Sequence, residues 1–150
     1  MKIVNLILRL FIGGVFIASA IAKIWNVQVS HAHGVQFSHV PDLATFAQDV
    51  DNYHVPPRAL GNLVAITLPW IELLAGAFLV CGIWKRASAW VIAALMVVFL
   101  AAIGWALAHG YDIRCGCFGT VDARKVGITA LAEDALLLGI ALWLAWRLED

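Results

Sequence analysis

ASAWVIAALMVVFLAAIGWALAH, residues 87–109, runs without one Asp, Glu, Lys or Arg. At a helical rise of about 1.5 Å per residue, such a stretch crosses the roughly 30 Å hydrocarbon core of a bilayer. A helix satisfies its own backbone polar groups in lipid, so the segment reads as a membrane-spanning helix. Three further segments follow the same pattern: Val4 to Trp25, Ala59 to Val80 and Gly127 to Trp146. The whole chain agrees, with 63% hydrophobic residues, 13% charged residues and a mean hydropathy of +0.88 over 150 residues. A soluble domain carries about 25% charged residues. The expected fold class is therefore an all-α membrane protein, a four-transmembrane-helix bundle forming one integral membrane domain over residues 1–150. Its first partner is membrane lipid, and no nucleic-acid partner is expected.

The first apolar stretch competes with a signal-peptide reading, because Ala18-Ser19-Ala20 looks like a small-residue cleavage site. Arg9 inside the apolar run argues against cleavage, as does the helical pattern continuing through Ile21, Ala22 and Ile24. A retained first helix is expected.

One connection is long, from Asn26 to Arg58. It opens with the polar Ser30-His31-Ala32-His33-Gly34, which reads as irregular. From Pro41-Asp42 a short amphipathic helix is expected, with Leu43, Phe46, Ala47 and Val50 on one face. Pro56-Pro57 cannot continue it. Four spans place both termini and the Lys85-Arg86 turn on one side. The long connection and the segment from Gly110 to Val126 share the other. Lys85-Arg86 is the tightest basic cluster on the shortest loop, which favours cytoplasmic termini. Localisation in the inner (plasma) membrane follows as an expectation. Trp84, Trp90, Trp143 and Trp146 fall near one interface and Trp25 and Trp105 near the other, as lipid anchors do. Trp70 lies deep in its span and fits neither belt.

Arg9, Lys23, Glu72, Glu133 and Asp134 interrupt the apolar segments, and each is costly in lipid unless paired or wet. Helical rise puts Arg9 roughly 8 Å and Glu72 roughly 13 Å from the same end, so an Arg9–Glu72 pair is expected. Glu133 and Asp134 lie about 9 Å from the other end, within reach of Lys23. Such charges fix helix register or handle protons and ligands. Pro69 frees a backbone carbonyl near Ala65, beside Trp70 and Glu72. A quinone is the cofactor class such an irregular, polar spot would suit.

Cys115-Gly116-Cys117 carries the most distinctive chemistry. A thiolate is the nucleophile of disulfide exchange, and Arg114 is placed to lower a neighbouring thiol pKa. A disulfide across one residue closes so small a loop that it stabilises little, and a strained bridge is more oxidising. The pair suits passing oxidation on. A second reading is a soft-metal site built from Cys115, Cys117 and the imidazoles of His31 and His33. A third is a structural subunit of a membrane complex. Cys81, alone at the opposite end, reads as a small apolar residue.

Several motifs resemble the DoxX-like membrane proteins, in the branch typified by the methylamine-utilisation protein MauE. They are Ala22-Lys23, Asn52-Tyr53 with Pro56, Leu68-Pro69-Trp70-Ile71-Glu72-Leu73, Gly82 with Arg86, and Cys115-Gly116-Cys117-Phe118-Gly119. The resemblance covers nearly the whole chain. It implies four transmembrane helices and a redox association. It also implies help in maturing the disulfide-rich small subunit of methylamine dehydrogenase, beside a thioredoxin-like partner. The expected function is thiol–disulfide exchange at Cys115 and Cys117, outside the cytoplasm, with a thioredoxin-like or disulfide-containing client protein.

Overall fold

Each of the four apolar segments becomes a helix, with ends no more than two residues from those the sequence predicts. The computed structural model describes residues 2–24, 28–30, 34–36, 47, 50, 58–110 and 128–148. The helices are α1 (Lys2–Ile24), α2 (Arg58–Cys81), α3 (Lys85–Ala108) and α4 (Ile128–Arg147). By length and composition, three are apolar enough to cross a membrane: Ile3–Ile24, Leu63–Cys81 and Lys85–Ala108. The fourth has 20 residues but carries Glu133, Asp134 and Arg147.

The connection after α1 departs from the all-helical expectation. β1 (Gln28–Ser30) and β2 (Gly34–Gln36) pair antiparallel, with Val29 opposite Val35. Ser30 and Gly34, expected to be irregular, are thus the last residue of β1 and the first of β2. Further on, Ala47 and Val50 are helical and pack against Ala65 and Leu68 of α2. That agrees with the amphipathic pattern, while Leu43 and Phe46 fall outside the described residues.

Helices α1 and α2 run antiparallel along a close contact. Arg9 lies beside Gly82, Gly13 beside Gly76 and Val80, Ile17 beside Gly76, and Lys23 against Glu72. Glycine makes the approach possible. A Cβ on Gly13 would fall 3.0 Å from the Gly76 carbonyl oxygen and 2.6 Å from Val80 Cγ2, and one on Gly76 would fall 2.9 Å from the Gly13 oxygen. Small residues let helix backbones touch where lipid supplies no hydrophobic drive to association.

Between α2 and α3 the chain turns through Gly82, at φ +80°, and Trp84, at φ +43°. The Gly82 and Ile83 N–H groups both donate to the Phe78 carbonyl at 3.0 Å, a glycine-ended helix cap. Trp90 of α3 contacts Trp146 of α4 at 6.4 Å between ring centroids, so the end of α4 lies beside the beginning of α3.

What the bundle buries is mostly small. Ala20, Ala65, Ala75, Ala89, Ala93, Ala106, Ala141 and Ala145 are interior, joined by Ile12, Phe16, Leu79, Ile92, Met96 and Leu144. Ile3, Ile7, Phe11, Leu63, Ile66, Leu74, Val97, Val98 and Leu136 face outward. Contiguous exposed apolar surface of this extent is foreign to a soluble monomer. It suits lipid.

Replacing Gly76 by Leu is expected to destabilise the detergent-solubilised protein by about 1–3 kcal/mol through overpacking. Gly104→Ala, where an added Cβ meets nothing within 4 Å, leaves the melting temperature unchanged or raised. Thermal unfolding followed by helical circular dichroism checks both.

Candidate functional site

Lys23 occupies the last turn of α1 and is one of the most deeply buried side chains, 2% exposed. Its Nζ donates to Glu72 Oε1 at 2.7 Å and Oε2 at 2.8 Å, and to Ser19 Oγ, one helical turn back, at 3.0 Å. The ammonium also stands 5.1 Å from the centre of the Phe99 ring on α3, within cation–π range. Three helices thus meet on one charge.

Helix direction explains the pairing. Every Cα–Cβ bond tilts toward the N-terminus of its own helix. In the antiparallel α1–α2 pair, Lys23 therefore leans back into the bundle, and Glu72 leans toward the end where Lys23 sits. The two side chains converge. Arg9, on α1 but on the N-terminal side of the Glu72 level, also leans toward the α1 N-terminus and so away from Glu72, which leans away from it in turn. The expected Arg9–Glu72 pair does not form, because the tilt carries the two side chains apart and Glu72 bonds Lys23 instead. Arg9 packs against the Gly82 turn instead, its Nη1 3.3 Å from where a Cβ on Gly82 would lie.

Beside the ion pair is a cavity of about 20 Å³, lined by Ser19 of α1, Glu72 of α2, Met96 and Phe99 of α3, and Asp134 of α4, among others. That is room for about one water molecule, given polar partners. A quinone ring does not fit it. Trp70, the other marker of the expected quinone spot, is 50% exposed on the outside of the bundle, whereas Glu72 is 1% exposed inside it. Two residues apart on a helix, they face different surroundings, so they do not form one pocket.

Of the remaining predicted residues, Asp134 is buried and joins the cavity wall, while Glu133, its neighbour in sequence, is exposed. A carboxylate at salt-bridge distance from Lys23, that of Glu72, comes from α2. Cys115, Cys117 and Arg114 lie outside the described residues, as do His31 and His33. Among the described residues, no group of three or more His, Cys, Asp or Glu is placed to hold a metal. Cys81 is a free, exposed thiol at the end of α2. Ser19 and Phe99 went unrecognised in the sequence. Ser19 had a signal, since it stands one turn before Lys23 on the same helix face. Phe99 had none, because apolar residues surround it on its own helix.

The large apolar exterior, small-residue interior and fully buried ion pair define the class: a multi-pass helical membrane protein. The chain belongs to the family of methylamine utilisation protein MauE, whose model matches residues 1–147. It is 29% identical over 139 residues to methylamine utilization protein MauE of Paracoccus denitrificans, an overlap covering 92% of this chain and 66% of that one. It is 33% identical over 100 residues to the protein of that name from Methylorubrum extorquens, covering 66% of this chain and 54% of the other. The chain therefore spans about two thirds and about half the length of these curated relatives. No solved structure matches it.

Removing one partner of a buried pair strands the other charge. Lys23→Met and Glu72→Gln are each expected to cost about 3–5 kcal/mol. The combined Lys23→Met/Glu72→Gln variant loses less than the sum of the two. A double-mutant cycle from denaturant unfolding in detergent measures the coupling.

Proposed function

We propose that this chain is a multi-pass component of methylamine utilisation that supports disulfide formation in a protein outside the cytoplasm, such as the small subunit of methylamine dehydrogenase. The observation that carries the reading is the family match, which runs through Cys115-Gly116-Cys117. In this reading all four helices span the inner membrane, the termini and the Lys85-Arg86 turn are cytoplasmic, and Cys115 and Cys117 stand at the outer mouth of the bundle. A wider kinship with DoxX-like proteins is part of the same proposal.

The chemistry is an exchange of two electrons. A client thiolate attacks the Cys115–Cys117 disulfide and forms a mixed disulfide, releasing one thiol. A second client thiolate displaces the other cysteine. The client leaves with its disulfide, and Cys115 and Cys117 are left as two thiols carrying the client's two protons. A thioredoxin-like partner in its disulfide form then takes the electron pair and restores the bridge. Arg114 favours the thiolate by its charge. The Lys23–Glu72 pair fixes the end of α1 against α2 and so holds the frame beneath the loop. The small cavity beside Glu72 argues for passing electrons to a protein partner at the surface instead of to a quinone at that point.

Replacing the cysteine that resolves the mixed disulfide should trap it. In cells grown aerobically, Cys117→Ala or Cys115→Ala is expected to accumulate a thiol-sensitive adduct, seen by non-reducing electrophoresis after acid quenching. If both cysteines stay fully reduced in the unaltered chain, and it purifies with stoichiometric copper or zinc, the exchange reading fails. Full methylamine growth with both cysteines replaced would also overturn it.

A further inference from the structure

Around the Lys23–Glu72 pair every ammonium proton is already committed. Lys23 Nζ donates to both carboxylate oxygens of Glu72 and to Ser19 Oγ, and an ammonium has no further proton to give. A carboxylate accepts about four hydrogen bonds, so Glu72 keeps acceptor capacity beyond its bonds from Lys23. At 1% exposure it is shut away from bulk water. Asp134, 4% exposed, brings a second carboxyl group into the interior from α4.

Both side chains reach the same small cavity from different helices. Its polar wall is Ser19 of α1, Glu72 of α2 and Asp134 of α4, while α3 contributes only Met96 and Phe99. The volume is about 20 Å³, and one water needs roughly 10–15 Å³. Cavities that stay dry are lined by apolar groups, whereas a buried water bonds polar groups that would otherwise lose their hydration. Two ionised carboxylates only accept, so they cannot bond each other directly. A water molecule between them has one O–H group for each.

We infer that this cavity is the binding site of one ordered water molecule, which donates one O–H to Glu72 and the other to Asp134 and so joins α4 to the α1–α2 ion pair. Ser19 stands beside it as a third polar neighbour, and Val15, Met96 and Phe99 close the remaining wall. Asp134 keeps acceptor capacity for other bonds. A water-mediated hydrogen bond is nearly as favourable in enthalpy as a direct one, so the bridge is a fixed part of the bundle. It couples the fourth helix to the charge that registers the first two. The site is independent of the thiol chemistry and of the partner that takes the electrons.

X-ray radiolysis of the full chain in detergent, read by mass spectrometry, tests it. A bound water yields hydroxyl radical where it sits, so a neighbouring side chain is oxidised although bulk solvent does not reach it. Met96, 4% exposed, is expected to take up oxygen for that reason. Asp134→Leu removes one anchor, and Val15→Leu adds a methylene to the cavity wall while leaving every charge in place. Each should lower oxidation of Met96 several-fold. Leu136→Ala, on the exposed face of α4, should leave it unchanged, and an equal fall there would overturn the site. An unoxidised Met96 in the unaltered chain would overturn it too, because the cavity is then dry. So would full oxidation in Val15→Leu, since the radical then reaches the thioether by another path. Protection of Met96 by sodium chloride and not by choline chloride would assign the space to a sodium ion and overturn the water reading. If Asp134→Leu fails to fold, Val15→Leu decides.

Discussion

The contact between Lys23 and Glu72 is the constraint the rest of the bundle obeys. Neither charge tolerates lipid alone, and each is the other's bonded counter-ion at 2.7 Å. Once they meet, the antiparallel register of α1 and α2 is set. That register places Gly13 against Gly76, the point where the two backbones come closest. Slipping the pair by one residue would turn Glu72 outward and bring a side chain into the glycine contact. Electrostatics and sterics thus select the same alignment, which is the kind of agreement between levels that marks a well-specified fold.

α3 and α4 complete this arrangement around the same charges. Phe99 closes over the ammonium from α3, and Asp134 approaches from α4. The interior they enclose is built from alanine and a few large aliphatic residues, so helices pack tightly and leave little volume. A bundle with so small an inner cavity is suited to holding its ends in place. Chemistry is then expected at the ends of the helices more than between them.

Much of the fold was legible from the chain because its strongest signal, long uncharged runs, maps directly onto helix length. Segment ends were also legible, since Gly82 and the charged turn after it punctuate the apolar pattern. The charge partners were not. Axial rise ranks depth alone, whereas a lysine side chain reaches about a helical turn and the Cβ tilt adds to it. Those two effects together outweighed the depth difference that had favoured Arg9. Trp70 misled for a related reason: depth along a helix says nothing about which way a residue faces. The cysteine pair is an expectation from residue type and spacing alone, since Cys115 and Cys117 lie outside the described residues.

Lys23 and Glu72 are separated by 49 positions in the chain, which gives the pairing a dimension in time. At about 5–20 residues per second, the ribosome delivers the carboxylate several seconds after the ammonium. Through that interval α1 is a helix with an unmatched cation near one end, poorly suited to rest in hydrocarbon. Stable residence begins when α2 arrives. The two helices therefore enter the bilayer as a couple, and the long connection between them is the tether that sets how soon the second finds the first.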